Sequence, residues 1–433
     1  MKEHGDMLTA IGVKSVEDLF SDVPMAVRTE IKLPPGMDEI ALDRELKSIL
    51  ARNQTLNEFA SFLGGGIYNH YIPPAVNEIL ARNEFYTAYT PYQPEISQGM
   101  LQAIFEYQSL VCELTGMDCA NASMYDGATA IGEAALMAKR IKDGSEFIIP
   151  KAMSPAKKSV LRNYTEGAKI EIREIPYRPD TGTIDVEALK ESITPETFGI
   201  YLETPNYFGS LETEIKAVRE ICKGVLVLGV NPLSLAVIKP PSEYGADIVV
   251  GDSILGNPPA FGGPLAGIFA TRKEYLWKMP GRIVGFTMDR EGLPAFCLTL
   301  QPREQHIRRA KATSNICSNE ALSALAFLVH ACVLGRHGLK KIALTCMKNA
   351  RKLRERLRVM DALVFEKATI FNEFVYRADD GFLDYAYSQG VLPGIRIPGE
   401  LGIENGILCG VTELNTDAEI EKLVDIYAKF GGA

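Results

Sequence analysis

The chain has 433 residues, of which 46% are apolar and 23% are charged. This composition is typical of a globular protein with two or three structural units. It excludes a disordered chain, a collagen-like chain and a small disulfide scaffold. The 46 basic and 55 acidic residues give a formal charge of −9, which argues against nucleic-acid binding through bulk electrostatics.

The eight cysteines are scattered and form no CxxC pair, a pattern that predicts reduced thiols in a cytosolic protein. The sequence opens with no secretory-signal pattern, and its longest apolar run, residues 322–335, is too short to cross a membrane. We therefore expect a soluble, cytoplasmic protein.

Residues 1–63 are predicted to form an α-helical arm. Ser15 opens a capping-box pattern, and apolar residues at helical spacing predict a helix over 38–51. Such an arm either binds a partner or packs on its own domain, and packing is the commoner reason for the pattern.

The middle of the chain alternates between β-like and helical patterns. Two loops rich in glycine and aromatic residues, 64–74 and 86–94, precede a long helix predicted over 95–116. Short apolar runs then predict strands at 146–149, 170–175, 199–202, 225–230, 248–251 and 267–270. Helical stretches are predicted between several of them, at 127–142, 155–166, 185–192 and 211–223. We therefore expect an α/β fold with a mostly parallel, doubly wound sheet.

The last part of the sequence is predicted to form a smaller α/β domain. An apolar helix over 320–334 leads to a charged helix over 340–358, and a final helix covers 417–430. The predicted organisation is an arm (1–63), a large domain (64–330) and a small domain (331–433).

Among catalytic patterns, the sequence carries no P-loop, HExxH, GxSxG or metal-spaced Cys/His cluster, and no metal site is expected. A small-residue turn at 121–130 directly precedes a predicted helix. Backbone N–H groups and the helix dipole converge there, an arrangement that suits a phosphate. A plain capped helix, with Asp126 or Thr129 as the cap, explains this turn equally well.

Several long strings resemble one family. Residues 89–99 (YTPYQPEISQG), 311–319 (KATSNICSN), 261–264 (FGGP) and the turn at 121–130 closely resemble signatures of the glycine decarboxylase P-protein family. The similarity is collinear over nearly the whole chain. Within the family, the chain resembles subunit 1, the amino-terminal-half (α) subunit of the two-subunit form.

This resemblance implies the pyridoxal-phosphate-dependent transferase fold type I, as in aspartate aminotransferase. The implied activity is that of an aminomethyl-transferring, decarboxylating glycine dehydrogenase. Glycine is decarboxylated through pyridoxal phosphate, and the aminomethyl group passes to the lipoyl arm of H protein, which works with T and L proteins in the glycine cleavage system. The implied partner is a lysine-bearing subunit 2, in a heterotetramer of two heterodimers.

Covalent attachment of this cofactor needs a lysine, and an acid usually keeps the pyridine nitrogen protonated. The predicted strand that ends at Val230 leads to Asn231 instead of an acid, and no lysine lies between Lys239 and Lys273. We therefore expect that the partner subunit binds pyridoxal phosphate covalently, and that this chain does not and is inactive alone.

The resemblance also implies that this chain completes its partner's site. The expected contributors are Thr313, Ser314 and Asn315 near the cofactor phosphate, Tyr89, Thr90, Tyr92 and Gln93 in an aromatic loop, and Tyr68, Asn69 and His70 as a third wall. Gly127, Ala128 and Thr129 would mark a vestigial phosphate turn in the chain's own pocket.

Other interpretations fit the same residues. Residues 313–315 would suit a helix N-cap, and Tyr92 and Gln93 would suit simple interface packing. For the whole chain, the alternatives are a stand-alone pyridoxal-phosphate enzyme, such as an aminotransferase or carbon–sulfur lyase, and a non-catalytic scaffold.

Overall fold

The computed structural model describes residues 2–29 and 32–431. The chain forms two compact units, residues 1–55 and residues 56–433. The three-part division at residues 63 and 330 stays a prediction.

The first unit contains helices α1 (Lys2–Ile11) and α2 (Glu39–Leu50). Asp38 caps α2, because its carboxylate accepts a hydrogen bond of 2.8 Å from the Ala41 N–H. The predicted capping box at Ser15 forms with Asp18, whose carboxylate accepts from the Ser15 N–H at 2.9 Å. The element that follows it is a single 3₁₀ turn.

The second unit holds eleven helices and fourteen strands among its described residues. The helices are α3 (Pro74–Leu80), α4 (Asn83–Tyr86), α5 (Gln98–Thr115), α6 (Gly127–Ile141), α7 (Pro155–Glu166), α8 (Val186–Ser192), α9 (Ile215–Ile221), α10 (Gln305–Arg308), α11 (Ala321–Arg358), α12 (Phe382–Ser388) and α13 (Asp417–Gly431). The strands are β1 (Ala60–Ser61), β2 (Cys119–Ala120), β3 (Glu146–Pro150), β4 (Glu171–Ile175), β5 (Thr197–Thr204), β6 (Val225–Val230), β7 (Ile248–Asp252), β8 (Gly267–Thr271), β9 (Ile283–Met288), β10 (Pro294–Thr299), β11 (Glu373–Arg377), β12 (Val391–Leu392), β13 (Ile395–Arg396) and β14 (Gly406–Gly410).

A seven-stranded sheet organises this unit, with strand order β2-β8-β7-β6-β5-β3-β4. Strands β3 to β7 pair in parallel, while β8 runs antiparallel to its two neighbours. All six strands predicted from the sequence are present, and the prediction of a mostly parallel α/β sheet is confirmed. Strands β5 and β6 are buried throughout, as expected for central parallel strands that are covered on both faces.

The sheet separates two apolar cores. Along β6, Leu226 and Leu228 face a core that includes Phe327 of α11, whereas Val225 and Val227 face the core of α6. This alternation follows from the two-residue period of a strand. Because β6 is apolar on both faces, its sequence reads as one continuous apolar run.

The two helices predicted over 320–334 and 340–358 are present as the two parts of α11, which a non-helical kink at Gly335 (φ 59°, ψ −178°) separates. Two details differ from the sequence-based expectations. Helix α9 is shorter than predicted, because the Leu211 N–H donates to the Thr369 carbonyl at 2.7 Å and is thereby held outside the helix. The antiparallel hairpin β9–β10 is absent from the predicted strands. The prediction depended on strands that alternate with helices, and no helix separates β9 from β10.

The small end of the unit packs on a three-stranded antiparallel sheet of order β11-β14-β13. Helices α12 and α13 and the second half of α11 supply its apolar core. Helix α11 is the one described helix that is long and apolar enough to cross a membrane, and half of its apolar window is buried in the protein. Such burial is typical of a core helix.

Glu212 gives the fold a pH-dependent stability. Its buried carboxylate accepts from the Ile184 N–H at 3.1 Å and from Asn206 Nδ2 at 2.9 Å, and burial raises its pKa to about 7. The folded state therefore binds more protons than the unfolded state between roughly pH 4.5 and 7, and stability falls as pH rises through that window.

We expect Glu212→Gln to remove about 3 kcal/mol of this fall in stability, measured by urea unfolding at pH 5 and pH 8. Glu220→Gln, which changes an exposed carboxylate of α9, is the control and should keep the parental pH slope.

Candidate active site

The chain's own candidate pocket lies where the parallel strands end. Glu203 in β5, Asn231 after β6 and Asp252 in β7 meet at this edge, the usual place for ligands in open α/β sheets. The cavity between them measures about 40 Å³. It can hold a few water molecules and has no room for a cofactor ring.

The predicted phosphate turn is occupied by carboxylates from the chain itself. Asp252 Oδ1 accepts a hydrogen bond of 2.6 Å from the Gly127 N–H, and Asp126 caps α6 by accepting from the Thr129 N–H at 2.7 Å. A Cβ added at Gly127 would come within 2.4 Å of Asp252 Oδ2, so the carboxylate lies directly against the turn. Ala128 lies between these two bonded positions. The turn serves as a helix cap, and a phosphate placed there would meet two acids.

One lysine lines this pocket, and sequence reasoning missed it. Lys157 in α7 bonds to Glu203. Burial alone would lower its pKa, but the charges of Glu203 and Asp252 outweigh this effect and raise the pKa of Lys157 above its ordinary value. A protonated ammonium is not nucleophilic, so Lys157 is an internal counter-ion. Its position after β3, about a hundred residues before the expected segment, gave no signal in the sequence.

Tyr68, one of the predicted wall residues, lines the chain's own pocket, which is called the inner pocket below. Its hydroxyl donates to Glu373 Oε2 at 2.6 Å, and the Gly65 N–H donates to the other carboxylate oxygen at 2.6 Å. Burial raises the pKa of Glu373 to about 7. The lining is therefore rich in acids, and Lys157 is the one cation among its described residues.

The neighbouring residues Asn69 and His70 are also tied to the small end of the unit. The Asn69 carbonyl accepts from Thr412 Oγ1 at 2.9 Å. His70 is buried, with Nδ1 2.8 Å from Glu413 Oε2, and the same oxygen accepts from Cys346 Sγ at 3.4 Å. Desolvation opposes it, yet the bonds from His70 and the Tyr71 N–H lower the pKa of Glu413 to about 2. Glu413 thus acts as a hydrogen-bonding anchor for this loop.

The other predicted residues lie on a second, open surface. Tyr89 is 83% exposed and Tyr92 is 50% exposed, and Gln93 is exposed beside them. The Thr313 N–H donates to the Arg303 carbonyl at 3.0 Å, and Ser314 Oγ accepts from the Ile316 N–H at 3.0 Å, next to exposed Asn315. Tyr92, Gln93 and Asn315 thus present polar side chains to solvent, whereas the Ser314 hydroxyl lies against the buried Glu133 carboxylate.

The N-cap interpretation of residues 313–315 is wrong for α11. That helix begins at Ala321, six residues beyond Asn315, and the Glu320 N–H at its start donates to Ser123 Oγ at 3.0 Å. Asn319 Nδ2 also donates to the Ala122 carbonyl at 2.9 Å. The end of the 311–319 segment is therefore held against the small-residue turn.

The aromatic loop and the 311–319 segment are joined by Arg282, which sequence reasoning also missed. Its guanidinium donates to Thr90 Oγ1 at 2.8 Å, to Ser318 Oγ at 3.2 Å and to the Tyr92 hydroxyl at 2.7 Å. A single arginine before an unpredicted strand has no recognisable sequence pattern. The tertiary structure thus brings together Thr90, Tyr92 and the 313–319 region, while Tyr68 and His70 lie buried elsewhere.

Comparison with known proteins identifies the family of this chain. The family model described as "Glycine cleavage system P-protein" matches residues 1–427. A probable glycine dehydrogenase (decarboxylating) subunit 1 of Carboxydothermus hydrogenoformans is 46% identical over 431 residues, covering 97% of this chain and 96% of that protein. Its counterpart in Thermococcus onnurineus is 51% identical over 367 residues, covering 83% and 82%.

Solved structures give the same result. A crystal structure of inhibitor-bound glycine decarboxylase (P-protein) of the glycine cleavage system has a TM-score of 0.90 and 38% identity, with 98% of each chain covered. A sphingosine-1-phosphate lyase of Burkholderia pseudomallei has a TM-score of 0.68 at 14% identity, covering 95% of this chain and 94% of its own, and shows the fold alone.

The fold is therefore that of the pyridoxal-phosphate-dependent enzymes of fold type I, as expected from the sequence. The chain belongs to the glycine cleavage system P-protein family and corresponds to subunit 1 of glycine dehydrogenase (decarboxylating). Its own pocket does not fit pyridoxal phosphate, because Asp252 occupies the phosphate turn and Lys157 is engaged with Glu203.

Proposed function

We propose that this chain is the catalytically silent subunit of a two-subunit P-protein, and that it completes the pyridoxal-phosphate site of a lysine-bearing subunit 2. The observation that carries this proposal is the contrast between its two surfaces. The inner pocket is filled by its own charges, whereas Tyr92, Thr90 and the 313–319 segment present polar groups on an open surface.

In the assembled enzyme, the cofactor supplies the electron sink for decarboxylation of glycine. The residues of this chain would bind and orient the cofactor and the substrate, and would exclude water from the site. Thr313, Ser314 and Asn315 would donate hydrogen bonds to the cofactor phosphate, while Tyr89, Tyr92 and other residues of the aromatic loop would border the substrate. Tyr68 and His70 are bonded to Glu373 and Glu413, away from the aromatic loop, so they would act only by holding their own loop in place.

The wider assignment follows the resemblance. The assembled enzyme transfers the aminomethyl group to the lipoyl arm of H protein, within a glycine cleavage system that also contains T and L proteins. We propose a heterotetramer of two heterodimers in the cytoplasm. The chain alone is inactive, and residues 1–63, 64–330 and 331–433 form its arm, large domain and small domain.

The experiment measures glycine–bicarbonate exchange by the assembled complex. We expect Thr313→Ala and Tyr92→Phe each to lower exchange by about tenfold or more, because each removes one hydrogen-bond donor at the partner's site. Size-exclusion chromatography should show unchanged assembly.

Matched control variants lose a hydroxyl elsewhere. Thr345→Ala removes a hydrogen bond to the Lys341 carbonyl on α11, and Tyr427→Phe removes one to the Arg377 carbonyl. Both should keep parental exchange. Full exchange in Thr313→Ala and Tyr92→Phe would contradict the proposal and favour a non-catalytic scaffold.

A further inference from the structure

We infer that Arg282 is a positioning residue for the partner's active site, and that it sets the surface this chain contributes by holding three hydroxyls in one cluster. The inference rests on the proposed function. The hydroxyls are those of Thr90 and Tyr92 in the aromatic loop and Ser318 in the 311–319 segment, and together with Arg282 they are called the hydroxyl cluster.

The arginine itself is firmly fixed. It is 3% exposed, and its carbonyl accepts a hydrogen bond of 2.8 Å from the Ala122 N–H, so its backbone is tied to the small-residue turn. It directly precedes strand β9, which pairs with β10 through Ile283 and Thr299. A charge held this rigidly can act as a template for the flexible side chains around it.

The arginine links two segments that are more than two hundred residues apart in sequence. Nη1 donates to both Thr90 Oγ1 (2.8 Å) and Ser318 Oγ (3.2 Å), which bridges the two segments through a single nitrogen. Nη2 donates to the Tyr92 hydroxyl at 2.7 Å, and the guanidinium carbon lies 5.1 Å from the centre of the Tyr92 ring. The planar guanidinium group thus fixes both the hydroxyl and the ring of Tyr92.

The direction of these hydrogen bonds has a chemical consequence. A guanidinium group can only donate, so each hydroxyl oxygen in the cluster accepts from it. Each hydroxyl hydrogen is then directed away from Arg282, and the nearby positive charge polarises the O–H bond. On a surface where Tyr92 is half exposed, the cluster offers aligned donors to an oxygen acceptor presented by the partner's site.

Acidic and titratable neighbours do not cancel this effect. The Glu304 carboxylate lies 3.9 Å from Arg282 Nε, beyond hydrogen-bond length, and His306 Nδ1 lies 3.7 Å from the same carboxylate. Glu304 balances the buried charge from the side of Nε. In the described hydrogen bonds, the two Nη atoms donate only to hydroxyl oxygens, which are those of the hydroxyl cluster.

The test is a double-mutant cycle in the assembled complex with the lysine-bearing subunit. Arg282→Met is expected to lower kcat for glycine–bicarbonate exchange by about tenfold or more, with KM for glycine changed by less than about threefold. Arg282→Lys keeps the positive charge but loses the planar guanidinium group with its two Nη donors. It should therefore recover only part of the lost kcat. Arg282→Met combined with Tyr92→Phe should be at most about threefold worse than the more damaging single variant, because both act through one contact.

Arg354→Met is the matched control. Arg354 is also buried, and it donates to the Phe365 and Glu366 carbonyls at the small end of the unit. Its loss should lower thermal stability without changing kcat or the absorbance of bound cofactor in the complex. A parallel loss of kcat in this control would show that destabilisation alone explains the effect, and would overturn the inference.

The outcomes separate this inference from the proposed function. If Tyr92→Phe lowers exchange and Arg282→Met does not, or if their effects multiply fully, the inference is overturned and the proposed function stands. If Tyr92→Phe, Arg282→Met and Thr313→Ala all keep full exchange, the proposed function itself fails. Should Arg282→Met not assemble, the same cycle with Arg282→Lys decides, since non-additivity with Tyr92→Phe is again the required result.

Discussion

Incubating the chain alone with pyridoxal phosphate, followed by borohydride reduction, is expected to give no stoichiometric pyridoxyl-lysine. The one described lysine that lines the inner pocket is Lys157, and its ammonium is held protonated by Glu203 and Asp252. Imine formation needs the neutral amine. The phosphate turn is closed as well, because Asp252 takes the Gly127 N–H.

The measurement is mass spectrometry of the reduced, digested chain. Lys239 and Lys273, which flank the segment where the cofactor lysine was expected, are exposed and should give at most trace, non-specific labelling. As a positive control, the complex with the lysine-bearing subunit should give one specific adduct on the partner. A site-specific, stoichiometric adduct on this chain, at Lys157 above all, would contradict the interpretation and revive a stand-alone pyridoxal-phosphate enzyme.

Lys157→Met is expected to destabilise the folded chain by about 3–5 kcal/mol at pH 8, because it removes the cation from a largely buried ion pair. Glu203 would lose its counter-ion, and Asp252 and Glu373 would lose the attraction that opposes their raised pKa values. The free energy of urea unfolding measures this change.

The pH dependence and a rescue make the test specific. In the variant, the remaining carboxyl groups take up protons more readily in the folded state, so the loss should be smaller at pH 6 than at pH 8. Adding Glu203→Gln should restore part of the stability, because it removes the unpaired charge. Lys352→Met, which breaks an exposed pair with Asp417, should cost less than about 1 kcal/mol. A loss that small in Lys157→Met would contradict a structural role for the pair.

Local sequence patterns were sufficient to predict the main elements. The apolar runs at 225–230 and 248–251 correspond to β6 and β7, and the helix that closes at Gly116 is α5, where the backbone turns left-handed at φ 68°. Such patterns depend on periodicity and on turn residues within a short window. The break predicted between the helices over 320–334 and 340–358 corresponds to the kink at Gly335, because glycine adopts the positive φ that interrupts a helix.

The absence of a cofactor lysine was also a property of the sequence, since it follows from residue identities over one segment. What fills the place of the cofactor could not be derived in that way. Asp252, Lys157 and Glu203 come from different elements and meet only because parallel strands end at the same edge of the sheet.

The hydroxyl cluster illustrates the same limit. The sequence by itself determined the fold class, the family and the two motif segments that carry Tyr92 and Ser318. Only the tertiary structure decided that Arg282 joins these segments, and that Tyr68 and His70 face inward. Hydrogen bonds between residues about two hundred positions apart leave no periodic or local trace in a single sequence, because they are fixed by the packing of the whole fold.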